Sequence, residues 1–384
     1  MTPEATVVVS TYRPGGVDVT LAGMRDQTFP KGRFEVILVD HRYERRRSEV
    51  ETLARRYGVR LLHVPEHRRN GPWGVTASAY NTGFALATGR VVIMLVDWTY
   101  APPGWIEGHL VHHDGPPAYV IAPYLYHAVG ITEGIHARML RELGPDAVPP
   151  WTAFAAQPDI AARAPYDQDG QDSRADSVSI EEDAVLRGEV FDEMSVFRDG
   201  LFDPAWLPRM PPLPMGDPGG RSAPPGRLPY HMHTWAHLKN ESVLRDVVWR
   251  LNGVDVWGER GGRMSIDTDF GLRAMCIGAG PLWEPRAQAH CVNPRHGICR
   301  VMPFGDDGRS VAGRWNLEEC RAYHLRRIED VTAGRSLAAP APYTMEGLAR
   351  RLEPWRSGAP IDISALDVPD AGFFGRDVRP WSAY

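Results

Sequence analysis

The chain has 384 residues, 43% of them apolar and 24% charged, with a formal net charge of −5. That length can bury a core sufficient for two or three domains, and the charge lacks the basic surplus expected of a nucleic-acid or anionic-membrane partner. The longest apolar runs, such as "VVIML" and "YVIAPYLY", fall far short of the roughly 20 residues that cross a bilayer.

No basic stretch precedes the apolar run of "MTPEATVVVSTYRPGG", so a secretory leader is not expected. Cys276, Cys291, Cys299 and Cys320 form no CxxC pair, which argues against a disulfide framework or thiolate zinc site and for a reducing cytoplasm. With 38 glycines and 34 prolines, the chain should be rich in loops.

From the N-terminus, strand-like and helix-like segments alternate. "ATVVVSTY" is a β-branched run of the kind buried in a parallel sheet, and "VDVTLAGMRDQ" follows with helical spacing at Val17, Leu21 and Met24. "FEVILVD" (34–40) reads as the second strand and "SEVETLARRYG" (48–58) as a helix stopped by Gly58. "VRLLHVP" (59–65) is a third strand, "ASAYNTGFALATG" (77–89) a helix, and "VVIMLVD" (91–97) a fourth strand. This alternation predicts an α/β fold: a mostly parallel central sheet with right-handed crossovers and helices on both faces. Ligands of such sheets bind beyond the carboxyl ends of the strands, where Asp40 and Asp97 both stand. A lone carboxylate there either caps the following turn or meets a ligand.

From 114 to 236 the texture changes. "PAWLPRMPPLPMGDPGGRSAPPGRLPY" holds too much Pro and Gly for a regular element. The segment is a surface excursion or, punctuated by Phe191, Phe197, Phe202 and Trp206, a lid or acceptor platform. Regular patterning resumes at 237 and continues to about 305. After it come a helix in "NLEECRAYHLRRIEDVTAG" opened by Asn316, another around 344–356, and a polar tail. Four parts result: 1–113, the insert 114–236, 237–305, and a C-terminal helical extension and tail, 306–384.

Six motifs occur in a telling order: "VVVSTYRP", "FEVILVDHRYERR", "NGPWGVTASAYNTGFALATGRVVIMLVD", "APPGW", "KNESVLRDVVWRLNGVD" and "IDTDFGLR". Together they resemble a family 2 glycosyltransferase of the GT-A fold, over about 5–113 and 237–295. The resemblance implies inverting transfer from a nucleotide diphosphate sugar, UDP-linked by expectation, to an acceptor hydroxyl. It makes 1–113 the donor-binding half, with Thr11 and Tyr12 in the turn that cradles the base and Asp40 as its hydrogen-bond acceptor. It makes 237–305 the acceptor and catalytic half. A buried aspartate suits the donor role because it accepts from base N–H and ribose O–H groups.

The family's paired DxD carboxylates bind ribose and a cation that bridges the phosphates and neutralises the leaving group. Aligned on "PPGW", that triplet is Val96-Asp97-Trp98 here, so only Asp97 remains. One carboxylate is a poor Mg²⁺ or Mn²⁺ site. Two completions are open. His290, or His296 nearby, supplies an imidazole that Mn²⁺ accepts beside Asp97. Otherwise Arg68, Arg69, Arg295 and Arg300 hold the diphosphate without metal. The divalent cation with Asp97 and His290 is the preferred expectation. Trp98 either stacks on a sugar or closes the pocket.

For the general base, the resemblance points to Asp267, with Asp269 as the alternate; both also suit the positive end of a helix. Tyr80 replaces the family's usual Arg, and the processive "QxxRW" is missing, so a polysaccharide synthase is disfavoured. The acceptor is a small molecule, saccharide or protein, with nucleic acid disfavoured by charge and a homo-oligomer left open. A nucleotidyltransferase would want a more basic, Gly-rich phosphate loop than "STYRPGG". A GT-A-like module that binds a nucleotide sugar without turnover is the other alternative.

Overall fold

The computed structural model describes residues 2–11, 16–41, 43–67, 76–128, 238–255, 266–293 and 343–362, with short pieces at 197–198, 201–202, 204–205, 226–227, 329–330, 333–335, 337–338, 341 and 366. The first hundred residues follow the expected alternation: β1 (Ala5–Thr11), α1 (Val17–Asp26), β2 (Phe34–Asp40), α2 (Tyr43–Tyr57), β3 (Leu61–Val64), α3 (Thr76–Leu86) and β4 (Val91–Val96). Helix α2 starts five residues earlier than its apolar spacing suggests. Next come β5 (Thr99–Tyr100), α4 (Trp105–Leu110), β6 (Ala118–Ile121), β7 (Tyr124–Ala128), β8 (Phe197–Arg198), β9 (Leu201–Phe202) and β10 (Gly226–Arg227). The chain then forms β11 (Asn240–Leu244), α5 (Arg245–Arg250), α6 (Ile266–Cys276), β12 (Gly280–Trp283), β13 (Ala289–Asn293) and α7 (Met345–Arg356). Most of the insert and the helix expected after Asn316 lie outside the described residues.

Eight strands form the main sheet in the order β10-β12-β6-β11-β4-β1-β2-β3. Strands β4, β1, β2 and β3 are mutually parallel; β11 runs against both its neighbours, and β10 runs against β12. The α/β class and mostly parallel sheet expected from the alternation are therefore present.

Period-two side-chain geometry explains the layering. Val7, Val9, Val36, Leu38, Ile93 and Leu95 pack on one face with α1, α2 and α4. Val8, Ile37, Val39, Val92 and Met94 pack on the other with α3, α5, α6 and α7. Helix α3 lies so close to β1 that a Cβ on Gly83 would sit 2.2 Å from Val8 Cγ1. The C-terminal helix belongs to this core as well. Met345, Leu348 and Leu352 are buried, and Arg356 Nη1 donates to Leu86 O at 2.6 Å. A Thr344 N-cap, accepting from the Gly347 N–H, starts that helix.

Under α4 lies a buried polar layer. Asn240 accepts from Trp105 Nε1 at 2.8 Å and donates to the carbonyls of Pro123 and Ala287 at 2.7 and 2.8 Å. Ser242 stands 3.0 Å from His109 Nδ1 and 2.9 Å from His113 Nε2. Burial lowers His109 to about 4 and His113 to about 3, so both imidazoles are neutral.

A second sheet, β5-β13-β7, lies just beyond the end of β4. Together with β1 and β2, it frames the carboxyl edge. Among the described residues, no helix is long and apolar enough to cross a membrane.

Candidate functional site

Flush strand ends build the site. Thr11 pairs with Asp40 across β1–β2, and Ser10 pairs with Val96 across β1–β4, so Asp40, Thr11 and Asp97 stand in a row. All three are buried, at 0%, 1% and 1% exposure.

Asp40 is enclosed by cations and donors. Arg46 reaches in from α2, with Nη2 2.7 Å from Oδ1 and Nε 3.1 Å from Oδ2, and His63 Nε2 lies 3.0 Å from Oδ2. Burial alone would raise the carboxyl's pKa. The Arg46 charge and the His63 hydrogen bond outweigh it and hold the group well below the usual carboxylate range. Three of the roughly four acceptor positions of this carboxylate are thereby filled from within the protein. The ionised Asp40 also fixes the His63 tautomer, because Nε2 must carry the proton it donates. His63 Nδ1 is left buried without a partner.

The same guanidinium donates from Nη2 to Thr11 Oγ1 at 3.0 Å, and Thr11 Oγ1 donates to Asp97 Oδ2 at 2.8 Å. Sequence reading missed Arg46 and His63. For Arg46 a signal existed: Tyr43, Arg46, Val50 and Tyr57 share the buried stripe of α2. An arginine at such a position calls for a buried anion.

Immediately after Asp97, Trp98 takes a left-handed backbone with φ 58° and is only 1% exposed. Its N–H meets Gly16 O at 3.2 Å, and its carbonyl accepts from Val292 N at 2.8 Å. Gly16 also has a positive φ of 74°, and a Cβ there would lie 2.2 Å from the Trp98 ring. The indole is thus core packing, which corrects the idea that it stacks on a sugar.

His290, the second ligand expected beside Asp97, stands on β13. It pairs with Tyr100, three positions along the chain, and its Nε2 faces Gln288 Nε2 at 3.1 Å. Among the described residues, no group of three or more His, Cys, Asp or Glu side chains stands where it could hold a metal ion. Among the described residues, the donors beside Asp97 do not complete a site for the divalent cation that the resemblance implies. Asp97 offers one carboxylate already bonded to a hydroxyl, and neither Val96 nor Trp98 has an oxygen ligand to add. Tyr12, Arg68, Arg69, Arg295, His296 and Arg300 lie outside the described residues.

The two acids of α6 separate in role. Asp269 is 8% exposed and is bound by Arg273 Nε at 2.7 Å. Arg273, 0% exposed, also donates to Leu251 O and Gly253 O at 2.7 and 3.0 Å, so this pair ties the helix down. Asp267 is half-buried, one turn before Phe270, whose ring packs on Tyr119 at 5.9 Å. Burial, then the charges of Glu241 and Asp267, push the Tyr119 phenol well above its ordinary value.

Tyr119 donates to the buried Glu241. Glu241 in turn accepts at 2.9 Å from the N–H of Leu238, a residue with φ 53°. Tyr80 donates to Leu238 O and lies 3.4 Å from Leu95 O, two residues before Asp97. These contacts link the end of β4 to Tyr119, whose phenol also feels the charge of Asp267. Tyr119 and Glu241 were missed by sequence reading, since a Tyr or Glu in a β-strand carries no distinctive pattern.

Residues 6–167 match the family described as glycosyl transferase family 2. The solved structures similar to this chain include S. aureus TarS 1–349, at 11% identity and TM-score 0.41, covering 87% of this chain and 72% of that one. Another is the mannosyltransferase PcManGT from Pyrobaculum calidifontis with GDP-Man and Mn²⁺, at 14% identity and TM-score 0.39, covering 93% and 83%. A third is GalNAc-T7 with UDP, GalNAc and Mn²⁺, at 12% and 0.42, covering 86% and 56%. No curated protein matches the chain.

Proposed function

We propose that this glycosyltransferase moves a sugar from a nucleoside diphosphate, UDP by first expectation, to an acceptor hydroxyl with inversion at the anomeric carbon. The observation that carries the reading is the family match over 6–167, a stretch that holds the buried Asp40–Arg46–Thr11–Asp97 row. On this reading Asp97 accepts hydrogen bonds from the donor. Asp40 acts behind it, as the counter-ion of Arg46, and has little acceptor capacity left for a base.

Asp267 takes the proton of the attacking hydroxyl as the oxygen bonds to the anomeric carbon and the nucleoside diphosphate departs from the opposite face. Its place in the first turn of α6 supports this role, because a helix N-terminus holds a side chain firmly and favours its charged form. Asp269, committed to Arg273, is the weaker candidate. No step of this scheme runs through a metal ion.

The test is release of nucleoside diphosphate and glycosylated product from a panel of UDP- and GDP-sugars, with and without EDTA. The panel spans both bases because the similar structures were solved with UDP-GlcNAc and with GDP-Man. Turnover by wild type and its loss in Asp267→Asn support the reading. A specific observation also favours a second reading, a binding module without turnover: the carboxylates flanking Asp97 are replaced by Val96 and Trp98. Nucleotide-dependent stabilisation with no product from any donor would mark that case.

A further inference from the structure

Asp97 begins the turn that follows β4. Its N–H makes a long 3.3 Å bond to Ser10 O, and the next residue is already left-handed. Thr11, which was expected to touch the donor itself, donates to the Asp97 carboxylate.

A threonine hydroxyl has one proton and two lone pairs. Asp40 stands in register with Thr11 and would compete with Asp97 for that proton. Arg46 removes the competition in two ways. It covers both Asp40 oxygens, at 2.7 and 3.1 Å, and its Nη2, which only donates, takes a lone pair of Thr11 Oγ1 at 3.0 Å. The hydroxyl proton is thereby directed to Asp97 Oδ2 at 2.8 Å. Charge is conserved in a useful way as well: Arg46 cancels Asp40, and the negative charge stays on Asp97.

We infer that Thr11 and Arg46 are positioning residues for Asp97, a rigid relay that orients the one carboxylate left of the usual set and replaces what its missing neighbours would have constrained. The inference rests on the proposed function in one respect: Asp97 must meet the donor. Arg46 pairs with Asp40, Asp40 also meets His63, and Thr11, Asp40 and Arg46 are buried, so the hydrogen bonds of the relay are in place before any ligand arrives.

The experiment is a thermodynamic cycle on nucleotide binding. UDP and GDP are titrated calorimetrically into wild type, Thr11→Val, Thr11→Ser, Asp97→Asn and the Thr11→Val/Asp97→Asn double variant. Thermal unfolding of each protein is recorded alongside. Valine keeps the β-branched shape that the strand prefers but has no hydroxyl.

Thr11→Val should raise the nucleotide Kd about tenfold, the ratio that one charge-assisted hydrogen bond supplies. Thr11→Ser should return it to within about threefold of wild type, and the double variant should bind no more weakly than Asp97→Asn alone. Additive losses in the double variant would mean that Thr11 touches the nucleotide directly, which overturns the relay. So would wild-type affinity in Thr11→Val, or failure of serine to rescue. If wild type binds and Asp97→Asn is indifferent, Asp97 is not a donor contact, and the proposed function fails at that point. Binding of neither nucleotide by wild type counts against both proposals.

Discussion

Replacing Arg46 with Met tests whether Asp40 is a buried anion that depends on one cation. The substitution keeps an unbranched, apolar stem in the α2 stripe while deleting contacts of 2.7 and 3.1 Å to Asp40 and 3.0 Å to Thr11. The His63 bond at 3.0 Å remains, on a carboxylate that is 0% exposed. Removing one partner of a buried pair costs about 3–5 kcal/mol, a large share of the roughly 5–15 kcal/mol that keeps a domain folded.

The loss should depend on pH in a definite direction. In the wild type the carboxyl is held low, so the pair's contribution is complete above the unfolded carboxylate pKa of about 4 and fades as pH falls below it. In Arg46→Met the same carboxyl has no cation and titrates higher, so the gap between the two proteins should narrow on acidification. Urea unfolding at pH 7 and pH 5 measures both effects. Adding Asp40→Asn to Arg46→Met should recover much of the loss at pH 7, since no charge is then stranded. A cost under about 1 kcal/mol, or no recovery in the double variant, would refute the reasoning.

Other consequences are accessible to simple measurements. Asp269→Asn should destabilise the fold by about 3 kcal/mol, because it leaves the buried Arg273 without its carboxylate. Asp267→Asn should barely move the melting temperature yet lower turnover by about 10²–10⁴-fold, which separates the two acids in one pair of assays. His109 and His113 are held at about 4 and 3, below the unfolded value near 6.5. Their contribution is therefore complete above pH 6.5 and lost as pH falls, with a slope approaching about 2.7 kcal/mol per unit for the two together. Urea unfolding between pH 6.5 and about 5.5, where most carboxylates remain ionised, measures that slope. Gly16→Ala should cost at least about 1–2 kcal/mol from its left-handed backbone, with a further loss from the clash with Trp98, read as a lowered melting temperature.

The carboxyl-edge acids were legible because the strands that carry them are buried on both faces and end abruptly at Asp40 and Asp97. Apolar spacing likewise located α7, almost to the residue. The partners of those acids were hidden for a physical reason. Arg46 belongs to "ERRR", and only the start of α2 at Tyr43, rather than at Ser48, turns one of those arginines inward. Asp267 and Asp269 look equivalent as helix-opening acids, and what parts them is Arg273, one turn on and fully buried. The place of His290 depends on the register of β5 against β13, a pairing between segments nearly 200 residues apart. A two-residue strand such as β5 exists through its partner, so its own sequence does not announce it.

Nucleoside diphosphate release from the UDP- and GDP-sugar panel, compared between wild type, Asp97→Asn and Asp267→Asn, bears most directly on the claim that two aspartates at one sheet edge serve a single transferred sugar. The account predicts turnover by wild type on one donor class, weakened nucleotide binding in Asp97→Asn, and near-normal binding without turnover in Asp267→Asn. Full turnover in either variant would contradict it.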